Sequence, residues 1–236
     1  MAEKRTIRVV HERHPSDSYN TPPKLAKFAV DHAESLIQKY APDKKVKSFR
    51  MLEPGCGDGA PFARYASWLG HDAYAVDIRS EALNIYHPTE LERPLPRVLG
   101  YDFLKDPTFP KIWPGEFDLI VTNPPFKFGQ QFIDRSISLL SETGVAAFLV
   151  KMNFLGTRGR MKFFKTRSPS EVHILSQRPS FAHKATDRMQ EYCFIFYLGT
   201  WLDKKVRRNR GGVPRIYWQD NKSFDAPVYC HTGDFR

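Results

Sequence analysis

The sequence predicts an α/β fold, a mostly parallel sheet with helices on both faces. Short apolar runs alternate along the chain with segments of helical periodicity, as βαβ units require. Those runs are continuous rather than alternating, as expected of strands buried on both faces. Glycine or proline clusters follow two of them, at the carboxyl ends where open α/β sheets place their ligands.

The elements follow in order. Residues 1–18 are polar and charged; His11 and His14 have no further ligand set near them, so this stretch reads as a flexible basic arm rather than a metal site. Thr21-Pro22-Pro23 reads as a helix start, a hydroxyl cap followed by prolines in the first turn. Leu25, Phe28, Ala29, His32, Leu36 and Ile37 then recur at helical spacing. Past the lysine-rich link at 43–47, the patterns predict a strand over 49–53, a helix over 60–69 and a strand over 73–78, with a short helix from Ser80. They go on to strands at 97–99 and 117–122, a helix over 129–140 and a strand over 145–150. Residues 171–175 and 192–198 are also strand-like, separated by a basic loop that includes Arg178, Phe181 and Lys184. The stretch from Asp203 is basic, glycine-containing and weakly patterned. The expected division is an arm at 1–18, one domain at 19–200 and a basic extension at 201–236.

Composition sets the setting. A chain of 236 residues, 41% hydrophobic, suffices for one well-cored domain with an appendage. No run is apolar enough to span a bilayer, and the first residues lack the apolar core of a signal peptide. Cys56, Cys193 and Cys230 form no close pair, so neither disulfides nor a metal site are expected, and the setting reads as reducing and cytoplasmic. The formal charge of +10 favours a polyanionic partner, with a merely soluble cationic surface as the other reading. Nothing in the sequence speaks to oligomeric state.

Asn123-Pro124-Pro125-Phe126 carries the most chemistry. Two prolines cannot extend the strand before them, so the chain stiffens there and presents an amide, a carbonyl and an aromatic face together. That set suits an exocyclic amine on a flat aromatic molecule. Glu53-Pro54-Gly55-Cys56-Gly57-Asp58-Gly59 lies between the first strand and the following helix, where glycines allow a sharp turn and close approach of a ligand. Its spacing departs from the dinucleotide fingerprint, and Glu53 and Asp58 would repel a pyrophosphate. A ligand with positive charge and hydroxyls fits better. Asp77 ends the second strand 22 residues after Gly55, close to the ~20 expected for a ribose-binding carboxylate, with a helix cap as the other reading. Asp102-Phe103 follows the third strand, where the acid could meet an adenine amine and the ring could stack on it; a simple turn is the alternative. Cys56 reads as a packing residue.

Taken in order, Tyr19-Asn20-Thr21-Pro22, the glycine loop, Asp77, Asp102-Phe103 and Asn123-Pro124-Pro125-Phe126 resemble the class I S-adenosylmethionine-dependent methyltransferases, over about residues 17–198. Within them the match is to the N6-adenine amino-methyltransferases, and the motif order looks like the gamma arrangement of the DNA enzymes. The resemblance implies a Rossmann-like fold with a seven-stranded sheet and S-adenosylmethionine as cofactor. It implies cofactor contacts from Tyr19, Thr21, Pro22, Glu53, Gly55, Gly57, Asp77, Asp102, Phe103 and Asn123. Asn123, Pro124, Pro125 and Phe126 would carry catalysis on a target base, with Phe126 and Phe181 against its faces (a core role is the other reading of Phe181) and Arg178 and Lys184 meeting phosphates. The expected activity is N6-methylation of adenine in DNA with short or relaxed sequence preference. RNA N6-adenosine methylation is the first alternative, because Phe126 replaces the tyrosine common in restriction-associated enzymes. Methylation of a protein glutamine stands third.

Overall fold

A computed structural model describes residues 21–44, 47–79, 95–107, 116–179, 181, 190–208 and 214–219. The arm at 1–18, Tyr19, the helix expected from Ser80, Lys184 and most of the carboxyl-terminal extension lie outside the described residues. In chain order the elements are α1 (Pro23–Tyr40), β1 (Arg50–Pro54), α2 (Pro61–Trp68), β2 (Asp72–Asp77), β3 (Arg97–Gly100) and β4 (Phe117–Thr122). They continue with α3 (Gly129–Leu139), β5 (Leu140–Lys151), α4 (Met161–Thr166), β6 (Glu171–Leu175), β7 (Tyr192–Leu198), α5 (Thr200–Arg208) and β8 (Arg215–Gln219).

The strands form one sheet in the order β3-β2-β1-β4-β5-β7-β6-β8. Neighbours from β3 to β5 are parallel, β7 runs antiparallel to both β5 and β6, and β8 is parallel to β6. The chain leaves β1 toward β2 on one side and returns to β4 on the other, which makes the carboxyl ends of β1 and β4 the switch point of the sheet. Two cores cover the faces. Leu25, Ala29, Ala33 and Ile37 of α1, Phe62 and Ala66 of α2, and Leu202 and Val206 of α5 build one. Phe132 and Ile133 of α3 and Phe163 of α4 build the other, against Leu52, Ile120 and Phe148. Each fully buried leucine, isoleucine or phenylalanine among these contributes about 1.5–3 kcal/mol, so these stripes hold the helices to the sheet.

Three expectations are corrected. The sheet has eight strands, not seven, because residues 215–219 add an edge strand to β6. The stretch from Asp203, expected to be weakly patterned, begins inside α5, which seals one core with Leu202 fully buried and Val206 nearly so. Two of its cations serve the fold, Lys205 donating to the Tyr40 carbonyl at 2.8 Å and Arg207 to the Ser168 carbonyl at 2.8 Å. Nor is Thr21 the cap of α1. The cap residue is Pro22, without a side-chain bond, and its carbonyl accepts from Leu25 and Ala26. Thr21 sits one position too early, and its hydroxyl has another partner.

A polar knot ties α1 to the far strands. His32 Nε2 and His173 Nε2 lie 2.8 and 3.1 Å from the same Glu171 Oε2. Gln219 Nε2 donates to His173 Nδ1 at 2.7 Å, which leaves the His173 proton on Nε2, facing the carboxylate. Burial would raise the Glu171 carboxyl, but the hydrogen bonds from His173 and His32 outweigh it and hold the group well below the usual range. Burial pushes His173 below its ordinary value.

Candidate active site

The site is built where β1 and β4 end side by side. Leu52 of β1 pairs with Ile120 of β4, and Thr122 Oγ1 donates to the Pro54 carbonyl at 2.6 Å, locking the two strand ends together. Asn123 therefore leaves β4 from a fixed point. Pro125 keeps an extended backbone, and Phe128 N–H bonds back to its carbonyl at 2.8 Å, closing a short 3₁₀ turn over Phe126–Phe128 that leads into α3.

The Asn123 side chain is aimed from the nitrogen end of its amide. Its Nδ2 donates to Thr21 Oγ1 at 3.2 Å, across 102 residues of chain. Its Oδ1 is buried and, among the described residues, accepts from nothing. An acceptor in that condition costs about 1–3 kcal/mol unless a ligand completes it.

The glycine loop lies against this elbow. Gly55 and Gly57 hold φ of +65° and +63°, which ordinary side chains rarely adopt. A Cβ on Gly55 would stand 3.1 Å from Phe132 and 3.6 Å from Pro125, so the loop and the elbow are in direct contact. The acids around the loop are engaged. Glu53 is buried and accepts from Ala63 N–H at 2.7 Å, fastening the start of α2. Burial raises its carboxyl well above the usual range, against the pull of the Ala63 and Phe62 amides. Asp77 takes Gly57 N–H at 2.9 Å on one oxygen, and the Arg79 backbone and Nε, both at 3.0 Å, on the other. Arg79 also meets Asp58 at 2.8 Å. Cys56 is buried, and desolvation pushes its thiol far up, with Glu53 and Asp77 adding to the shift. It packs and is no nucleophile.

Asp102 Oδ1 accepts from Leu104 and Lys105 N–H at 3.0 and 3.1 Å, the arrangement of a simple turn. Phe103 is buried, its ring 5.1 Å from Phe132 and under the Arg135 guanidinium. On the acceptor side Phe126 is half-buried, with Tyr192 at 6.0 Å and Lys151 Nζ 4.2 Å from its ring centre. Phe181 is buried against the other side of this cluster, its ring 4.8 Å from Tyr192. Arg178 lies in an exposed pair with Glu191, Nε to Oε1 at 3.1 Å. Thus Thr21, Gly55, Pro125 and Asn123 come together, with Asp77 bracing the loop behind them. Phe103 and Phe181 go to the two cores.

Sequence reasoning missed Lys151, Tyr192 and Arg79. Lys151 carried a signal, a lone cation ending the apolar run of β5 beside the elbow. Tyr192 and Arg79 are placed only by tertiary contacts.

The family model for the methyltransferase small domain matches residues 21–170, more than half of the chain. No curated protein sequence matches. Among solved structures, a Listeria monocytogenes protein assigned to the class I S-adenosylmethionine-dependent methyltransferases is similar with a TM-score of 0.57 and 18% identity, covering 80% of this chain. This chain spans 63% of that protein. A Pyrococcus horikoshii protein described as an RNA methyltransferase gives 0.52 at 16% identity, with 78% of this chain and 86% of the other covered. A predicted O-methyltransferase from Agrobacterium tumefaciens gives 0.50 at 14% identity, covering 75% and 81%. These likenesses confirm the Rossmann-like class I fold, whose methyl donor is S-adenosylmethionine. The glycine loop at the switch point, with acids in place of a phosphate cradle, fits that donor. The chain belongs to the methyltransferase small domain family.

Proposed function

We infer that the protein transfers a methyl group from S-adenosylmethionine to the N6 amine of adenine in DNA, with a short or relaxed sequence preference. The observation that carries this reading is the buried Asn123 Oδ1 at the end of β4, without a partner among the described residues, on an amide whose Nδ2 is held by Thr21 beside the glycine loop. An acceptor without a donor matches an incoming NH₂. The bound donor supplies an electrophilic methyl group on a sulfonium.

The adenine amine is a poor nucleophile because its lone pair is delocalised into the ring. Asn123 Oδ1 and the Pro124 carbonyl accept from its two N–H bonds, which favours a more tetrahedral nitrogen and localises the lone pair. The extra proton departs to solvent after transfer, so fixed geometry and preorganised dipoles replace a strong base. Phe126 stacks on the base, worth about 1–3 kcal/mol. In a duplex the base must first be swung out. Asp77 is the residue to hold a ribose hydroxyl, since one of the roughly four acceptor positions on its carboxylate stays open beside Gly57 and Arg79. RNA N6-adenosine methylation on the same elbow is the second reading, favoured by Phe126.

Incubation with tritiated S-adenosylmethionine and DNA, RNA or protein tests this directly. Label at N6 of DNA adenine supports the proposal, label in RNA alone moves it to the second reading, and label only in protein overturns both. Asn123→Ala is expected to lower kcat by about a hundredfold or more, as loss of a transition-state hydrogen bond does, while donor affinity stays within a few fold.

A further inference from the structure

From Lys151 to Ser170 the chain carries six lysine and arginine residues and no acid. This segment leaves the carboxyl end of β5 beside the elbow and folds into two short 3₁₀ turns and α4. It is anchored to the active site. Lys151 lies over the Phe126 ring, and a Cβ on Gly129, the first residue of α3, would stand 3.0 Å from Phe154. Phe154 in turn packs edge-on against Phe164 at 5.8 Å.

Beyond Phe164 a groove opens, lined by Leu155, Thr157, Arg158, Met161, Phe164 and Lys165. Its floor is apolar, with Met161 58% exposed. Its rim is cationic. Arg158 and Lys165 are exposed and, among the described residues, no carboxylate pairs with them. Arg167 is the member of the segment that has one, Asp134 at 3.3 Å.

We propose that this groove holds an unpaired stretch of the DNA strand that flanks the target adenine. Base faces are available for an apolar floor only where the strand is unpaired, and the phosphates on either side match the acid-free rim. A duplex would offer phosphates but keep its base faces covered. The continuity from Phe164 through Phe154 to Gly129 and the elbow puts the groove on the path of a strand whose target base sits at Asn123. The proposal rests on the DNA reading above.

The test is binding of a fluorescent oligothymidylate, which holds no adenine and so reports strand binding without a methyl acceptor. Affinity is measured against salt for the full protein, for Arg158→Gln/Lys165→Gln, for Met161→Ser, and for the control Lys24→Gln/Lys39→Gln on α1. The groove double variant is expected to lose about 1.4 from the salt slope, ~0.7 for each phosphate contact on a single strand. Met161→Ser is expected to weaken binding several-fold at unchanged slope. The control should leave affinity and slope near those of the unaltered protein. An unchanged slope in the groove variant, an equal loss in the control, or tighter binding to a duplex of the same length would each overturn the proposal. Tighter binding to oligouridylate would overturn its assignment to DNA. If oligothymidylate binds as expected and adenine is never methylated, the groove stands and the activity reading falls.

Discussion

Thr21→Val isolates the contact that, among the described residues, aims the Asn123 amide. Valine keeps the shape of threonine and replaces the hydroxyl with a methyl, so the bond from Asn123 Nδ2 is lost and little else changes. A neutral hydrogen bond of this kind contributes about 0.5–1.5 kcal/mol, which converts to a fall in kcat of about 2- to 13-fold if the bond is fully used in positioning. The amide then turns freely, and Oδ1 no longer waits in one place for the amine. Thr21 is buried, so the new methyl is accommodated at a cost near 1 kcal/mol, a shift of about 2–4 °C in Tm for a domain of this size. The assay is single-turnover methyl transfer at saturating donor, with donor Kd measured separately by calorimetry. Thr21→Ser restores the acceptor and should restore the rate. If Kd rises as much as kcat falls, Thr21 acts on the donor. If neither changes, the Thr21 bond does not position the amide. Either outcome refutes the reasoning.

Other perturbations separate the loop from the elbow. Asp77→Asn removes a charged partner from Gly57 N–H and Arg79, and at about 1.5–3 kcal/mol for such bonds the donor Kd should rise roughly ten- to a hundredfold while kcat at saturation holds within a few fold, read by calorimetry and kinetics. Gly55→Ala forces a side chain into φ of +65° and against Phe132, so the urea midpoint should fall by the equivalent of about 1–3 kcal/mol. Acidification should weaken the fold in two stages, followed by denaturant midpoints from pH 8 to 3. His173 is held below its ordinary 6.5, so as pH falls through that value the unfolded chain takes up a proton that the native state refuses, and stability drops. Glu171 is held below its ordinary 4.5, so its contribution is present above that value and is lost progressively beneath it. His173→Gln should remove the first stage and keep part of the second.

The parallel strands were legible because burial on both faces leaves uninterrupted apolar runs such as Phe117–Thr122, observed as expected. The glycine loop and the double proline were legible because their backbone demands are local. β8 was not, for a physical reason. Its outward residues Ile216 and Trp218 are apolar and exposed, while its inward Gln219 and Tyr217 meet the polar His173, so the usual apolar-in pattern is inverted. Thr21 looked like a cap because local sequence offers no sight of Asn123, its partner across the chain. Phe103 and Phe181 stood where an aromatic could serve a ligand or a core, and periodicity does not distinguish the two. Their burial against Phe132 and Tyr192 required the third dimension. The His32–Glu171 bond is of the same kind, formed by residues far apart in the chain.

Hydrogen-bond accounting around the switch point divides the work between support and chemistry. Glu53 is occupied by α2, Asp77 by Gly57 and Arg79, and Asp102 by its own turn. These carboxylates could be removed only by loosening the loop that they hold, so their first effect is on shape. Asn123 Oδ1 differs in being buried, oriented and unsatisfied at once. Two other unpartnered buried atoms among the described residues, Ser136 Oγ and Tyr197 OH, lie on α3 and β7. A free acceptor in a packed interior persists where a bound group repays it, and here the group must bring an N–H or O–H to a point in contact range of the glycine loop. A flat molecule bearing an amine meets both that demand and the ring of Phe126 beside it.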